Sequence, residues 1–137
     1  MVKKGIILAG GSGTRLSPLT KAVNKQLLPL YDKPLIFYPL SILMLANIKN
    51  ILMIVNPGQI ENFKNLLGDG KRYGIKIAYK IQNKPRGLPE AFILGKNFIK
   101  NDNVALILGD NFFYGQSLTS KLEKSLLHKN GARIFLK

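Results

Sequence analysis

The stretch GIILAGGSGTRL, residues 5–16, decides the fold. Gly5–Ala9 is a short, solid apolar run, and it breaks directly into Gly10-Gly11-Ser12-Gly13-Thr14-Arg15-Leu16. An apolar run of that length beside turn residues suits a strand buried on both faces. Glycines that follow a strand let backbone N–H groups approach a phosphate with no Cβ in the way. The spacing is not the dinucleotide fingerprint, because Leu16 stands where the third glycine would fall counting from Gly11. It is not a Walker A loop either, since no Gly-Lys-Ser/Thr follows. Pro18 and the polar run Thr20–Gln26 separate it from any helix, which predicts a long loop over the C-terminal edge of a sheet. The opening MVKKGIILAGG is basic and then apolar, like a leader peptide. Its apolar part is short and runs into glycines and a charged loop, so it reads as a first strand.

Further along, apolar-rich runs recur at Ile51–Val55, Ile75–Ile81, Val104–Leu108 and Ala132–Leu136. Longer periodic stretches lie between them at Leu35–Ala46, Gln59–Leu67, Leu88–Ile99 and Ser117–His128. In the second stretch Ile60, Phe63, Leu66 and Leu67 share a helical face, and Gly68 is placed to end the helix. In the fourth, Leu118, Leu122 and Leu126 recur every fourth residue. Pro39 inside the first predicts a late start or a kink. Strands alternating with helices predict an α/β fold, a Rossmann-like nucleotide-binding layering with a mostly parallel sheet and helices on both faces. No linker or repeat divides the 137 residues, so residues 1–137 read as one unit. A chain that closes on an uncovered strand is expected to be part of something longer.

Composition excludes several chemistries. There is no cysteine, which removes disulfides, Cys-ligated zinc, iron–sulfur clusters and thiol catalysis. The single histidine, His128, leaves no multi-His metal site. No apolar run reaches the ~18 residues of a membrane span, so a soluble, cytoplasmic protein without membrane contact is expected. The 21 basic and 7 acidic side chains give a net charge of +14. The lysines are spread from Lys3 to Lys137 without a basic block or an aromatic platform. That dispersal predicts no nucleic-acid partner. It is compatible with attraction to small anions such as nucleotides.

Within this frame a few side chains carry chemistry. Arg15 and Lys25 are the cations of the loop region to aim at a triphosphate, the first as a bidentate fork and the second as a mobile point charge. Lys21 and Lys33 are read as solvated surface groups. Asp110 closes the fourth apolar run in VALILGDN, at the ligand side of a buried strand. A hard oxygen there suits Mg²⁺ bridging nucleotide phosphates.

These stretches resemble the sugar-1-phosphate nucleotidylyltransferases, most closely the thymidylyl-transferring branch that acts on glucose 1-phosphate. The resemblance rests on GIILAGGSGTRLSPLTKAVNKQLLPLYDKPLIFYPLSILMLANI, on NLLGDG, on the segment from Gln82 to Gly87 and Leu88, on AFILG and on LILGDNFFYG. It covers nearly the whole chain. The segment from Gln82 to Ala91 departs from the family at Arg86 and at Pro89-Glu90, where Ala-Gln is usual.

The resemblance implies transfer of a thymidylyl group from dTTP to glucose 1-phosphate, giving dTDP-glucose, as in dTDP-rhamnose biosynthesis, with pyrophosphate released and Mg²⁺ as cofactor. It implies that Arg15 and Lys25 are catalytic and neutralise the phosphates. Leu8, Gly10, Gly11, Ser12, Gly13 and Thr14 would cradle the nucleotide, and Gln26 would contact it. Gln82 and Gly87 would read the thymine edge. Asp110 would hold the metal, with Asn111 near the ribose. Family members are longer: their downstream half supplies the sugar site, another lysine, a second metal carboxylate and the contacts of a homo-oligomer. The present chain matches the N-terminal portion, so it is expected to carry the nucleotide half of a site. An inactive or partner-dependent nucleotide-binding fragment is the alternative reading. The chemistry suits the residues, because the nucleophile is a phosphate oxygen already ionised at neutral pH and no general base is required.

Overall fold

In the computed structural model, residues 1–11, 13–127 and 130–135 are described. The chain runs β1 (Lys4–Ala9), α1 (Leu19–Ala22), the two-residue strands β2 (Pro29–Leu30) and β3 (Lys33–Pro34), α2 (Phe37–Leu45), β4 (Asn50–Val55), α3 (Ile60–Leu67), β5 (Lys76–Ile81), α4 (Glu90–Leu94), α5 (Lys96–Ile99), β6 (Val104–Leu108) and α6 (Leu118–Leu126). Strands β5, β4, β1 and β6 lie side by side in that order, all parallel, with Gly5 opposite both Ile51 and Ala105. The expected α/β architecture with a parallel sheet is present.

Side-chain alternation along the strands builds a core on each face. Ile7, Ala9, Ile51, Met53 and Val55 point to one side, where they meet Leu40 and Leu43 of α2, Phe63 and Leu67 of α3, and Leu122 of α6. Ile6, Leu52 and Ile54 point to the other and meet Ala91, Phe98 and Ile99 of α4 and α5. Fully burying an Ile or Phe of this kind stabilises the fold by roughly 1.5–3 kcal/mol. This is why the runs are apolar without interruption: both faces of each inner strand are covered. Lys4, at the start of β1, donates from Nζ to the carbonyls of Phe98 (2.7 Å) and Ile99 (3.2 Å) and pairs with Asp102 at 2.7 Å. It therefore ties the C-terminal end of α5, rich in carbonyl oxygens, to the bottom of the sheet.

Several elements differ from the sequence expectation. Leu88–Ile99 forms two short helices rather than one, divided at Gly95. A Cβ on Gly95 would come within 2.9 Å of both the Ala91 carbonyl and Ile6 Cδ1. The chain thus approaches β1 too closely for a side chain, and the regular helix breaks there. Pro39 neither delays nor interrupts α2: it is the third helical residue, in the first turn where an N–H has no partner to lose. The loop after β1 contains one-turn 3₁₀ segments at Thr14–Leu16 and Lys25–Leu27 as well as α1. The small β2–β3 hairpin, with its turn at Tyr31 and Asp32, carried no recognisable alternation in the sequence.

The last expected strand is not formed over the residues described. Ala132–Phe135 has no regular structure and is exposed, while Leu136 lies outside the described residues, as does His128 at the end of the expected last helix. A strand exists only through a ladder with a neighbour, and these residues add none to the sheet. Among the described residues no helix is long and apolar enough to cross a membrane.

Candidate nucleotide site

Parallel strands end on the same side of a sheet, so whatever follows each strand is gathered at one edge. Here Gly10 follows β1, Asn56 follows β4, Gln82 follows β5, and Gly109-Asp110 follows β6. Backbone bonds carry the ladder one step past the strands: Gln82 N–H donates to the Val55 carbonyl (2.8 Å) and Gly109 N–H to the Leu8 carbonyl (2.9 Å). Gln82 and Gly109 are therefore tied directly to the sheet.

A hollow of about 280 Å³ opens at this edge, walled by Leu8, Gly10, Gly11, Gln26, Gln82, Pro85, Gly87, Leu88, Leu108 and Asp110. Leu8, Leu108, Pro85 and Leu88 give it apolar walls, and Gln26, Gln82 and Asp110 supply a few polar groups, the usual mixture in a small-molecule site. A second hollow of about 200 Å³ shares Gly11 and is walled among others by Thr20, Lys21, Lys25 and Asn56. Lys25 joins the two, because it lines the second and its Nζ lies 2.6 Å from Asp110 Oδ2, in the first.

The glycine loop is held by side chains. Asn56 clasps Gly11 in both directions, accepting from its N–H at 3.2 Å and donating to its carbonyl at 2.8 Å. Thr20 Oγ1 donates to the Gly13 carbonyl at 2.8 Å. Gln26 is 3% exposed, and its Nε2 donates to the Gly10 carbonyl at 3.3 Å. Asn24 accepts from the Gln26 backbone N–H at 3.0 Å, and Ile36 N–H donates to the Gln26 carbonyl at 2.8 Å, so the residue cannot drift. Its Oε1 is buried with no hydrogen-bond partner. A buried acceptor left empty is costly, and a ligand that donates a hydrogen bond into the hollow would satisfy it.

Gln82, 2% exposed, donates from Nε2 to Glu90 Oε2 at 2.6 Å. The same oxygen accepts the Arg86 N–H at 3.1 Å. Gly87 adopts φ 88°, a left-handed conformation, and with Pro85 and Leu88 closes the hollow opposite Gly10.

The residues anticipated from sequence divide into two groups. Leu8, Gly10, Gly11, Gln26, Gln82, Gly87 and Asp110 converge on one hollow, with Lys25 attached through Asp110. Gly13, Thr14 and Arg15 do not line it: Thr14 and Arg15 are exposed on the 3₁₀ turn beyond Gly13. Asn111 stands one residue past Asp110 and turns back, its N–H donating to the Leu108 carbonyl at 3.1 Å. Ser12 lies outside the described residues. Of the two lysines read as solvated, Lys33 pairs with Asp32 on the hairpin turn, whereas Lys21 borders the second hollow. Asn56 and Glu90 were not anticipated. The signal for Asn56 was available, since it is the first polar residue after a buried strand, the same position that singled out Asp110.

The donor set suits a magnesium ion carried by phosphates. Asp110 supplies a hard oxygen on the wall, and among the described residues no group of three or more His, Cys, Asp or Glu is present. Mg²⁺ commonly binds through one or two carboxylates with phosphate and water completing its shell.

The nucleotidyl transferase family model matches residues 4–136. A glucose-1-phosphate thymidylyltransferase of Neisseria meningitidis is 60% identical over 132 residues, covering 96% of this chain and 46% of that protein. One from Xanthomonas campestris is 52% identical over 133 residues, covering 97% and 45%. Among solved structures, a Bacillus anthracis protein provisionally named a glucose-1-phosphate thymidylyltransferase, in complex with sucrose, superposes with a TM-score of 0.85 at 37% identity, over 93% of this chain and 52% of that one. A UDP-glucose pyrophosphorylase complexed with UDP-glucose gives 0.73 at 29% identity, over 90% and 52%. The chain spans about half the length of the curated relatives it matches. On the match of the family model over almost its entire length, the chain belongs to the nucleotidyl transferase family.

Proposed function

We propose that the hollow at the C-terminal edge of the sheet holds the nucleotide of a thymidylyl transfer: dTTP reacts with glucose 1-phosphate to give dTDP-glucose and pyrophosphate. The observation that carries this reading is the convergence of Gly10, Gly11, Gln26, Gln82, Gly87 and Asp110 on one cavity, with Lys25 bound to Asp110. The 60% identity to a thymidylyltransferase supports the choice of nucleotide and sugar phosphate.

The reaction forms a bond between a phosphate oxygen of the sugar phosphate and the α-phosphorus of dTTP. The bond from that phosphorus to the β-bridging oxygen breaks, and pyrophosphate leaves with the electron pair. The attacking oxygen is ionised at neutral pH, so the barrier lies in bringing anions together and in charge on the leaving group. Lys25 and Arg15 are the cations this chain offers, Arg15 from an exposed turn that must fold toward the phosphates to act. The Gly10–Gly11 backbone gives close, side-chain-free approach, and the Gln26 and Gln82 amides orient the nucleoside. Mg²⁺ held at Asp110 would neutralise phosphate charge when bound. In the free protein Lys25 balances Asp110; with nucleotide bound, Lys25 would be released to the phosphates and Asp110 would be the residue to hold Mg²⁺.

Because the chain spans 46% of its relative, a second reading is supported: it binds nucleotide without turnover unless a further segment completes the sugar site. Mixing dTTP, glucose 1-phosphate and Mg²⁺ with the chain and measuring pyrophosphate separates the two. Release that falls on the order of 10²-fold in Asp110→Ala supports transfer by this chain. Binding of dTTP without release supports the second reading, and absence of both contradicts the nucleotide assignment.

A further inference from the structure

We propose that Glu90, which does not wall the hollow, is a positioning residue that fixes which end of the Gln82 amide faces the base and thereby sets base selectivity. The inference rests on the nucleotide reading of this hollow. An amide side chain carries an acceptor on one end and two donors on the other, and its partners decide which end points where. A carboxylate only accepts. Glu90 Oε2 lies 2.6 Å from one end of the Gln82 amide, so that end is the NH₂ group. The carbonyl oxygen is turned toward Gly10, where a Cβ would come within 2.7 Å of it. Gln82 lines the hollow, and its one side-chain hydrogen bond among the described residues is made through the NH₂ end, so the carbonyl oxygen is left for a ligand there.

The same carboxylate oxygen takes the Arg86 N–H, at 3.1 Å. One acceptor thus orients the amide and anchors the loop that carries Pro85, Gly87 and Leu88 to the wall. An outward carbonyl selects a base with a ring N–H, as in thymine or uracil. Cytosine offers an unprotonated ring nitrogen at that position, and two acceptors facing each other repel. A pocket whose buried polar group is left unpaired rejects the wrong ligand strongly.

Calorimetric titration of the whole 137-residue chain with dTTP and with dCTP, in Mg²⁺, tests the role. Wild type is expected to prefer dTTP by ~10-fold or more. Glu90→Ala frees the amide to rotate and is expected to bring the ratio to within ~3-fold by weakening dTTP alone. Glu90→Gln keeps an acceptor and is expected to retain the preference. Should the alanine variant not fold, Glu90→Met, which keeps the length of the side chain, provides the same reading. A wild-type ratio in the alanine or methionine variant, or equal loss for both nucleotides, overturns the role of Glu90 alone. A wild-type chain with no preference for dTTP overturns the base-reading assignment of Gln82 and this role with it.

Discussion

Gly10 shows how tightly the site is specified at the scale of single atoms. Its backbone is ordinary, yet a Cβ there would lie 2.7 Å from Gln82 Oε1 and 3.2 Å from Asn56 Oδ1. Gly10→Ala would therefore push both amides out of place while leaving the strand intact. Affinity for dTTP, measured by calorimetry, is expected to drop about 10-fold or more with an unfolding midpoint close to wild type. Unchanged affinity would show that neither amide touches the nucleotide. Gly10, Gly11 and Asp110 were legible in the sequence because their position after apolar runs carried the meaning, whereas Gln82 was marked only by the family resemblance. Glu90 was not legible, because its importance lies in a bond to Gln82 that no spacing reveals. Arg15 was legible as a cation near the glycines, but it is exposed on its turn and does not line the hollow.

The elements hold the edge in place, and their coupling is open to measurement. Tyr79 of β5 donates its hydroxyl to the Gly68 carbonyl at 2.7 Å, just beyond the end of α3, and so links that helix to the sheet. Burial pushes the Tyr79 phenol up to about 12, with the negative charge of Asp69 acting in the same direction. The ordinary tyrosine value is 10.0, so the folded state binds the proton more tightly than the unfolded chain. The corresponding stability is present in full below about pH 10 and is lost as pH rises toward 12. Chemical denaturation across that window is expected to show a falling midpoint, and Tyr79→Phe is expected to flatten the fall. An identical slope in the variant would mean that the hydroxyl stays solvated. At this scale the inner strands β1 and β4 were legible, because burial on both faces leaves an apolar run. Other elements were less legible: Gly95 breaks a helix where the chain packs close to Ile6, and the β2–β3 hairpin is too short to show a pattern.

Across the whole molecule, the fold brings residues far apart in the chain to one edge: Gly10, Gln82 and Asp110 share a cavity because parallel strands end together, and the loop after β1 adds Gln26. The expected fifth strand failed for a reason of the same scale. Ala132–Phe135 has the composition of a strand but no neighbour to pair with. The net charge of +14 favours the approach of small anions in general, and of the 7 acidic residues Asp110 lines the hollow. The claim on which the account rests is that this edge receives a deoxynucleoside triphosphate. Titrating the ¹⁵N-labelled chain with dTTP and Mg²⁺, and following its backbone amide resonances, tests it most directly. The account predicts saturable shifts centred on Gly10, Gly11, Gln82, Gly87 and Asp110, absent in Asp110→Ala or much weakened. Shifts confined to residues outside this edge, or none at millimolar dTTP, would contradict it.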